Sequence, residues 1–193
     1  MSTPLTQLPP AEKYRLIAAR FTEVVHGVTD WDAPTPVKEW RARDVVGHLA
    51  GWLPPMVEAG SSVRFEGGPS ADEDPVGAWT ALDAQVQELL TDAAAATILH
   101  SNPHTGQDRP LPEVVDQVFT ADVFFHTWDL ARSSGQDDTL DPDLLHAAFT
   151  GMSAMEEQLR PSGQFGQQQP VPEDATEQEQ FFAFLGRDPR WTA

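Results

Sequence analysis

The sequence predicts an all-α protein, a helical bundle in which helices pack on helices. Three observations lead there. Apolar residues recur at i, i+3, i+4 spacing through five long stretches, no long run alternates apolar with polar residues as a half-buried strand would, and the stretches are separated by proline- and glycine-bearing polar segments. Pro9-Pro10 precede AEKYRLIAARFTEVVHGV, where Tyr14, Ile17, Ala18, Phe21, Val24, Val25 and Val28 form one stripe and predict a helix over 11–27. Residues 29–40 carry two prolines and read as a loop. A second helix is expected over 42–60, with Val45, Val46, His48, Leu49, Trp52 and Val57 along it. Pro54-Pro55 inside it are expected to kink or break it, since neither can donate a helical hydrogen bond. Residues 61–75 are a polar, glycine-rich crossover.

A third helix spans 76–94 with Trp79, Leu82, Val86, Leu89 and Leu90 on one side. Residues 97–111, TILHSNPHTGQDRPL, form a loop that opens with a short extended piece. A fourth helix follows over 112–134, with Gly135 placed to cap it. Asp141-Pro142 is an N-cap followed by proline in the first turn, starting a fifth helix that runs to 159. A short helix over 175–186 ends at Gly186. Residues 1–160 thus form one helical domain, and the tail 161–193 is expected to pack on it.

Composition limits the chemistry. With 193 residues, six Trp and ten Phe, the chain has the material for one core and is not a disordered segment. A net charge of −18 argues against nucleic acid or an anionic membrane as partner, because both would repel it. The absence of cysteine removes a disulfide framework, thiolate-ligated zinc, iron–sulfur clusters and a thiolate nucleophile. The N-terminal MSTPLTQLPPAEKYRL has no basic segment followed by an apolar stretch, and no apolar run reaches the roughly 20 residues that span a bilayer, so the expected compartment is the cytoplasm. Neither a G-x-S-x-G turn nor a glycine-rich phosphate loop occurs.

The candidate site lies in TADVFFHTWDLARSSG, residues 120–135. At about 100° per residue, Asp122 and His126 are about 40° apart one turn up the same face, and Asp129 falls within about 20° of Asp122. Val118, Phe125 and Trp128 flank them, so the stripe is expected to be at least half buried. A buried carboxylate needs a partner, and with an imidazole beside it a divalent cation is a natural one. His48, on the apolar face of the second helix, supplies a third donor. His48, Asp122 and His126 make a two-histidine, one-carboxylate set with ligating nitrogens about 3–3.5 Å apart, and an open position facing a cavity lined by aromatic or aliphatic side chains.

Other readings of the same residues stand beside this one. Asp-x-x-x-His also describes a solvated helix face, and His48 also fits a core histidine bonded to a backbone carbonyl. Asp44, four before His48, reads as a first-turn acid favoured by the helix dipole. Asp129 either accepts from a ligating imidazole, moves a proton in catalysis, or bonds a backbone group or Arg132. His100 and His104 flank a proline in a loop, while His26 and His146, at a helix end and a helix start, suggest no specific role.

The phrases WRARDVVGHLAG, FFHTWDLARSSGQD and FLGRDPRW resemble the DinB-like superfamily, and within it the mycothiol-dependent maleylpyruvate isomerase-like metal-binding proteins. The likeness runs from the first helix to the C-terminal LGRDP. It implies a DinB-like four-helix bundle with a long crossover after the second helix and a short C-terminal extension, holding a divalent metal, zinc first and nickel or another ion second. The isomerase's His and Glu-x-x-x-His positions fall on His48, Asp122 and His126, with Asp standing where the isomerase has Glu. The implied activity is metal-assisted chemistry on a low-molecular-weight thiol such as mycothiol, a thiol transferase or isomerase acting on an electrophilic substrate. With no cysteine in the chain, the nucleophile would come from outside. A metal-dependent hydrolase and a non-catalytic metal-binding bundle are the alternatives, as monomer or homodimer.

Overall fold

The computed structural model describes residues 3–103, 105–163 and 165–193, and all but the side chain of Ser162 among them. His104 lies outside the described residues. The chain is mostly helical. Its long helices are α1 (Pro10–Gly27), α2 (Ala42–Gly60), α3 (Pro75–Thr91), α5 (Ala121–Ser133) and α6 (Pro142–Ala154), with shorter α4 (Leu111–Val115), α7 (Glu156–Leu159) and α8 (Glu177–Phe184). No helix among the described residues is long and apolar enough to cross a membrane.

Helix starts follow local chemistry. Pro10, Pro75 and Pro142 occupy first turns, where an N–H would have no partner in any case. The carboxylates of Asp74 and Asp141 accept from the N–H of Gly77 and Leu144, both at 2.9 Å. Thr176 and Glu179 form a reciprocal capping box that starts α8. Asp44 is the third residue of α2 and accepts from the Arg41 N–H at 2.7 Å, a first-turn acid as the sequence suggests.

Packing is organised around α5. Helix α1 packs against α3 and α5, and α2 packs against the same two. Tyr14, Phe21, Leu49, Leu53, Trp79 and Trp128 are almost wholly buried between them, each worth about 1.5–3 kcal/mol of apolar burial. The C-terminal segment completes this core. Phe182 stacks on Trp128 with centroids 3.9 Å apart, and Phe181 meets Phe125 edge-on at 5.0 Å.

Several expectations change in detail. Helix α2 continues unbroken through Pro54 and Pro55. The lost hydrogen bonds fall opposite Ala50 and Gly51, and Gly51 and Pro55 are exposed, so a released carbonyl there meets solvent. Helix α3 stops at Thr91, because the Asp92 carboxylate turns to accept from the Ala94 N–H at 2.9 Å and competes with the helical pattern. Helix α6 ends at Ala154, after Gly151 and Ser153, two weak helix formers, and α7 resumes one residue later. The loop over 97–111 holds a two-stranded antiparallel hairpin, Leu99–Ser101 with Asp108–Pro110, pairing His100 with Arg109. The predicted helix over 112–134 is continuous but contains a π-helical turn at Asp116–Thr120. That wider turn puts earlier residues out of phase with α5, and Val118 is consequently exposed rather than flanking the site.

Candidate metal centre

Two helices bring the donors together. His48 comes from the middle of α2, and Asp122 and His126 from consecutive turns of α5. One ligand atom from each lies within 4.8 Å of the other two. His48 Nε2 is 3.0 Å from Asp122 Oδ2, His126 Nε2 is 3.4 Å from Asp122 Oδ1, and the two imidazole rings meet edge-on with centroids 4.9 Å apart. The envelope is somewhat wider than the roughly 3.3 Å edge of a tetrahedron with 2.0–2.1 Å bonds. The open side is toward His48 and Asp122, whose side chains are 33% and 23% exposed against 5% for His126.

Behind His126 stands a buried relay. His126 Nδ1 is 2.9 Å from Asp129 Oδ2, and Asp129 is fully buried. Arg187 donates to both Asp129 oxygens, at 2.9 and 3.3 Å. Burial pushes the Asp129 carboxyl up, but the Arg187 guanidinium and the His126 bond outweigh it and hold it below the usual carboxylate range. An ionised Asp129 only accepts, so His126 Nδ1 carries the proton. When His126 is neutral, its Nε2 carries a lone pair 3.4 Å from Asp122 Oδ1. Asp122 Oδ2 is already occupied by the Trp52 indole N–H at 2.9 Å and by His48. Burial also raises the Asp122 carboxyl, and the positive charge of a protonated His126 with the bonds from His48 and Trp52 brings it below its ordinary value. With His126 neutral, a cation between these two atoms would take up both lone pairs; with His126 protonated, its positive charge lies beside Asp122.

Aromatic rings frame this centre. Trp40 stacks on His126 at 5.6 Å and 22°, and leans on His48 at 5.0 Å. It is carried there by a turn in which Glu39 takes φ +68°, a left-handed conformation uncommon outside glycine.

The sequence expectations fare unevenly. His48, Asp122 and His126 do come together. Asp129 bonds the His126 imidazole, and its basic partner is Arg187, not Arg132, which lies over the Trp128 ring and pairs with Asp138. Asp129 is fully buried, with its oxygens engaged by His126 and Arg187. Two cavities of about 180 and 110 Å³ open against Phe124, away from the donors on a different face of α5. His100 is buried and bonds the Met56 carbonyl at 3.0 Å, while His146 is exposed and pairs with Glu177 at 2.7 Å. Sequence reasoning missed Trp40, Trp52 and Arg187. For Arg187 a signal existed in LGRDP, a glycine stop followed at once by a cation.

No family model matches this chain, and no solved structure matches it. It is 30% identical over 170 residues to two proteins of Mycobacterium tuberculosis, the uncharacterized protein MT0763 of strain CDC 1551 / Oshkosh and the uncharacterized protein Rv0738 of strain ATCC 25618 / H37Rv. The match covers 81% of this chain and 85% of each relative. At that identity and coverage, the chain belongs to the same family as these two mycobacterial proteins.

Proposed function

We propose that this protein is a DinB-like four-helix bundle that binds one divalent cation, zinc first among the choices, through His48, Asp122 and His126. The observation that carries the proposal is the opposed pair at 3.4 Å, Asp122 Oδ1 and His126 Nε2, with His126 Nδ1 already committed to Asp129. A cation placed there, with His48 turned to it, would satisfy both lone pairs at once. Imidazole nitrogens and a carboxylate oxygen are suitable donors for zinc, nickel or iron. Asp129 and Arg187 fix the tautomer that leaves the ligating nitrogen bare, the usual outer support of a metal-bound histidine. A purely structural reading is supported by the same contact, in which a doubly protonated His126 bridges Asp122 and Asp129 without any metal.

The activity we propose for the site is metal-dependent thiol transfer or isomerisation in the cytoplasm, using a small external thiol and an electrophile. It rests on the sequence resemblance, on the three donors, and on the part-open side at His48 and Asp122. A bound divalent ion would supply Lewis-acid chemistry, lowering the pKa of a thiol that reaches it. Of the chain's own groups, Trp40 and Trp52 would border the incoming thiol, and Asp129 would hold His126 in orientation without touching substrate. Cobalt-loaded protein tests the reading. Adding a small thiol should produce a thiolate-to-cobalt charge-transfer band that His48→Ala abolishes. Cobalt binding with no spectral response to thiol would leave a metal protein and remove the thiol chemistry.

A further inference from the structure

His48 is hemmed in on most sides. Trp40 leans on it with ring centroids 5.0 Å apart, and the His126 ring meets it edge-on. Asp122 stands beside it and is held in place by the Trp52 indole N–H at 2.9 Å. On α2 itself, Asp44 lies one turn before His48 and is engaged by Arg41, and Gly51 lies one turn after. Helical side chains lean back over the turn that precedes them, so a side chain at position 51 would stand over His48. Gly51 is exposed, and a Cβ built there would meet nothing within 4 Å. The part exposure of His48 therefore opens past Gly51.

Gly51 carries a second, independent feature. In a helix a carbonyl accepts from the N–H four residues on, or three where the turn tightens. For Gly51 those residues are Pro55 and Pro54, and neither has an N–H. Ala50, by contrast, loses only the Pro54 donor and keeps Leu53 within reach. A proline ring also crowds the carbonyl four residues before it and tilts it outward. Helix α2 runs unbroken through this stretch, so the Gly51 carbonyl is an acceptor with no helical donor, on an exposed residue one turn from His48.

We infer that Gly51 determines which ligands the metal centre takes: a ligand seated at the centre through its sulfur extends over Gly51 and donates a hydrogen bond to the Gly51 carbonyl. The ligand class is a thiol with an N–H or O–H group a few atoms from the sulfur, such as an amide or an alcohol. The inference rests on the metal and thiol reading given above. The missing side chain leaves room for the ligand's body, and the two prolines leave the acceptor free for its donor. His48 and Gly51 are about 4.5 Å apart along the helix axis, a span that a short aliphatic chain covers. A ligand ending in a carboxylate is disfavoured, because it would bring a negative charge to a carbonyl oxygen and to Asp122.

The probes are the N-methylamide and the methyl ester of mercaptopropionic acid, thiols of one shape that differ in an N–H against an ester oxygen. Each is titrated into the cobalt-loaded full chain and followed by the thiolate-to-cobalt band. The amide should bind roughly two- to tenfold more tightly than the ester, the worth of one net hydrogen bond. Pro55→Ala supplies the missing N–H, returns the Gly51 carbonyl to the helix, and should bring the two affinities together. Gly51→Leu should weaken both thiols severalfold while the cobalt-to-protein ratio stays at that of the wild type. Both variants place better helix formers at exposed positions of α2, so both should fold. Equal affinities in the wild type, an amide preference that survives Pro55→Ala, or thiol binding unchanged in Gly51→Leu overturns the inference and leaves the metal reading standing. A wild type that binds no cobalt, or binds it with no thiol band, overturns that reading and this inference with it.

Discussion

Asp129 has no exposure, and its charge is held by Arg187 on one side and His126 on the other. Removing one member of a buried pair leaves the other charge uncompensated, so Arg187→Met should cost about 3–5 kcal/mol in urea unfolding. A loss below about 1 kcal/mol would mean that the pair is not buried as described. Acid should reveal the same carboxylates. The folded pKa values of Asp122 and Asp129 lie below their ordinary range, so their contribution is present above the unfolded value and lost as the pH falls through the folded one. With chelator present, stability should fall below about pH 4, and the fall should be shallower in Asp129→Asn. Asp83, pushed up by burial, acts in the opposite sense, and for that reason the difference between the two proteins is the informative quantity. At this scale the sequence shows the three donors, because their spacing puts them on helix faces. It does not single out Trp52, one turn after His48 on the same helix, nor Trp40 and Arg187, which reach the site through tertiary packing.

Helix ends decide where the outer support of the site sits. Helix α5 closes at Gly135, φ +66°, with Gln136 N–H bonded to Ala131 O at 2.9 Å, and α8 closes in the same pattern at Gly186, φ +93°, with Arg187 N–H bonded to Phe182 O at 2.9 Å. The second of these aims Arg187 at Asp129. A Cβ at Gly186 would lie 2.5 Å from Gly166 Cα, whereas one at Gly135 would meet nothing within 4 Å. Gly135→Ala should therefore cost about 1 kcal/mol of left-handed strain, and Gly186→Ala clearly more, read as a larger drop in Tm. Equal drops would show that the backbone contact with Gly166 yields freely. Elements with a local signal, such as Asp141-Pro142 or Gly135, were legible in the sequence. The π-helical turn over Asp116–Thr120 was not, since the same residues fit an α-helical period, and the exposure of Val118 follows from it.

Across the whole molecule, α2 and α5 position the donors, and the C-terminal α8 supports α5 through Phe181, Phe182 and Arg187. The donors converge only once α2 packs on α5, so a bound cation should stabilise the fold by mass action, by about 2.7 kcal/mol at one hundred times its Kd. Chelator should then lower the Tm of the wild type and leave that of His126→Ala unchanged. The general fold was legible because five helical stripes are written in local periodicity. The meeting of His48 with His126 followed from both lying on core-facing stripes, whereas the location of the cavities depends on side-chain packing that no periodicity encodes. The central claim is that His48, Asp122 and His126 hold a divalent ion. Its most direct test is the metal-to-protein ratio of untagged protein after equilibration with zinc and removal of free ion. The ratio should be about one per chain in the wild type and fall close to zero in His48→Ala, a part-exposed site whose loss leaves the core intact. A wild-type ratio near zero, or a ratio unchanged by His48→Ala, would contradict it.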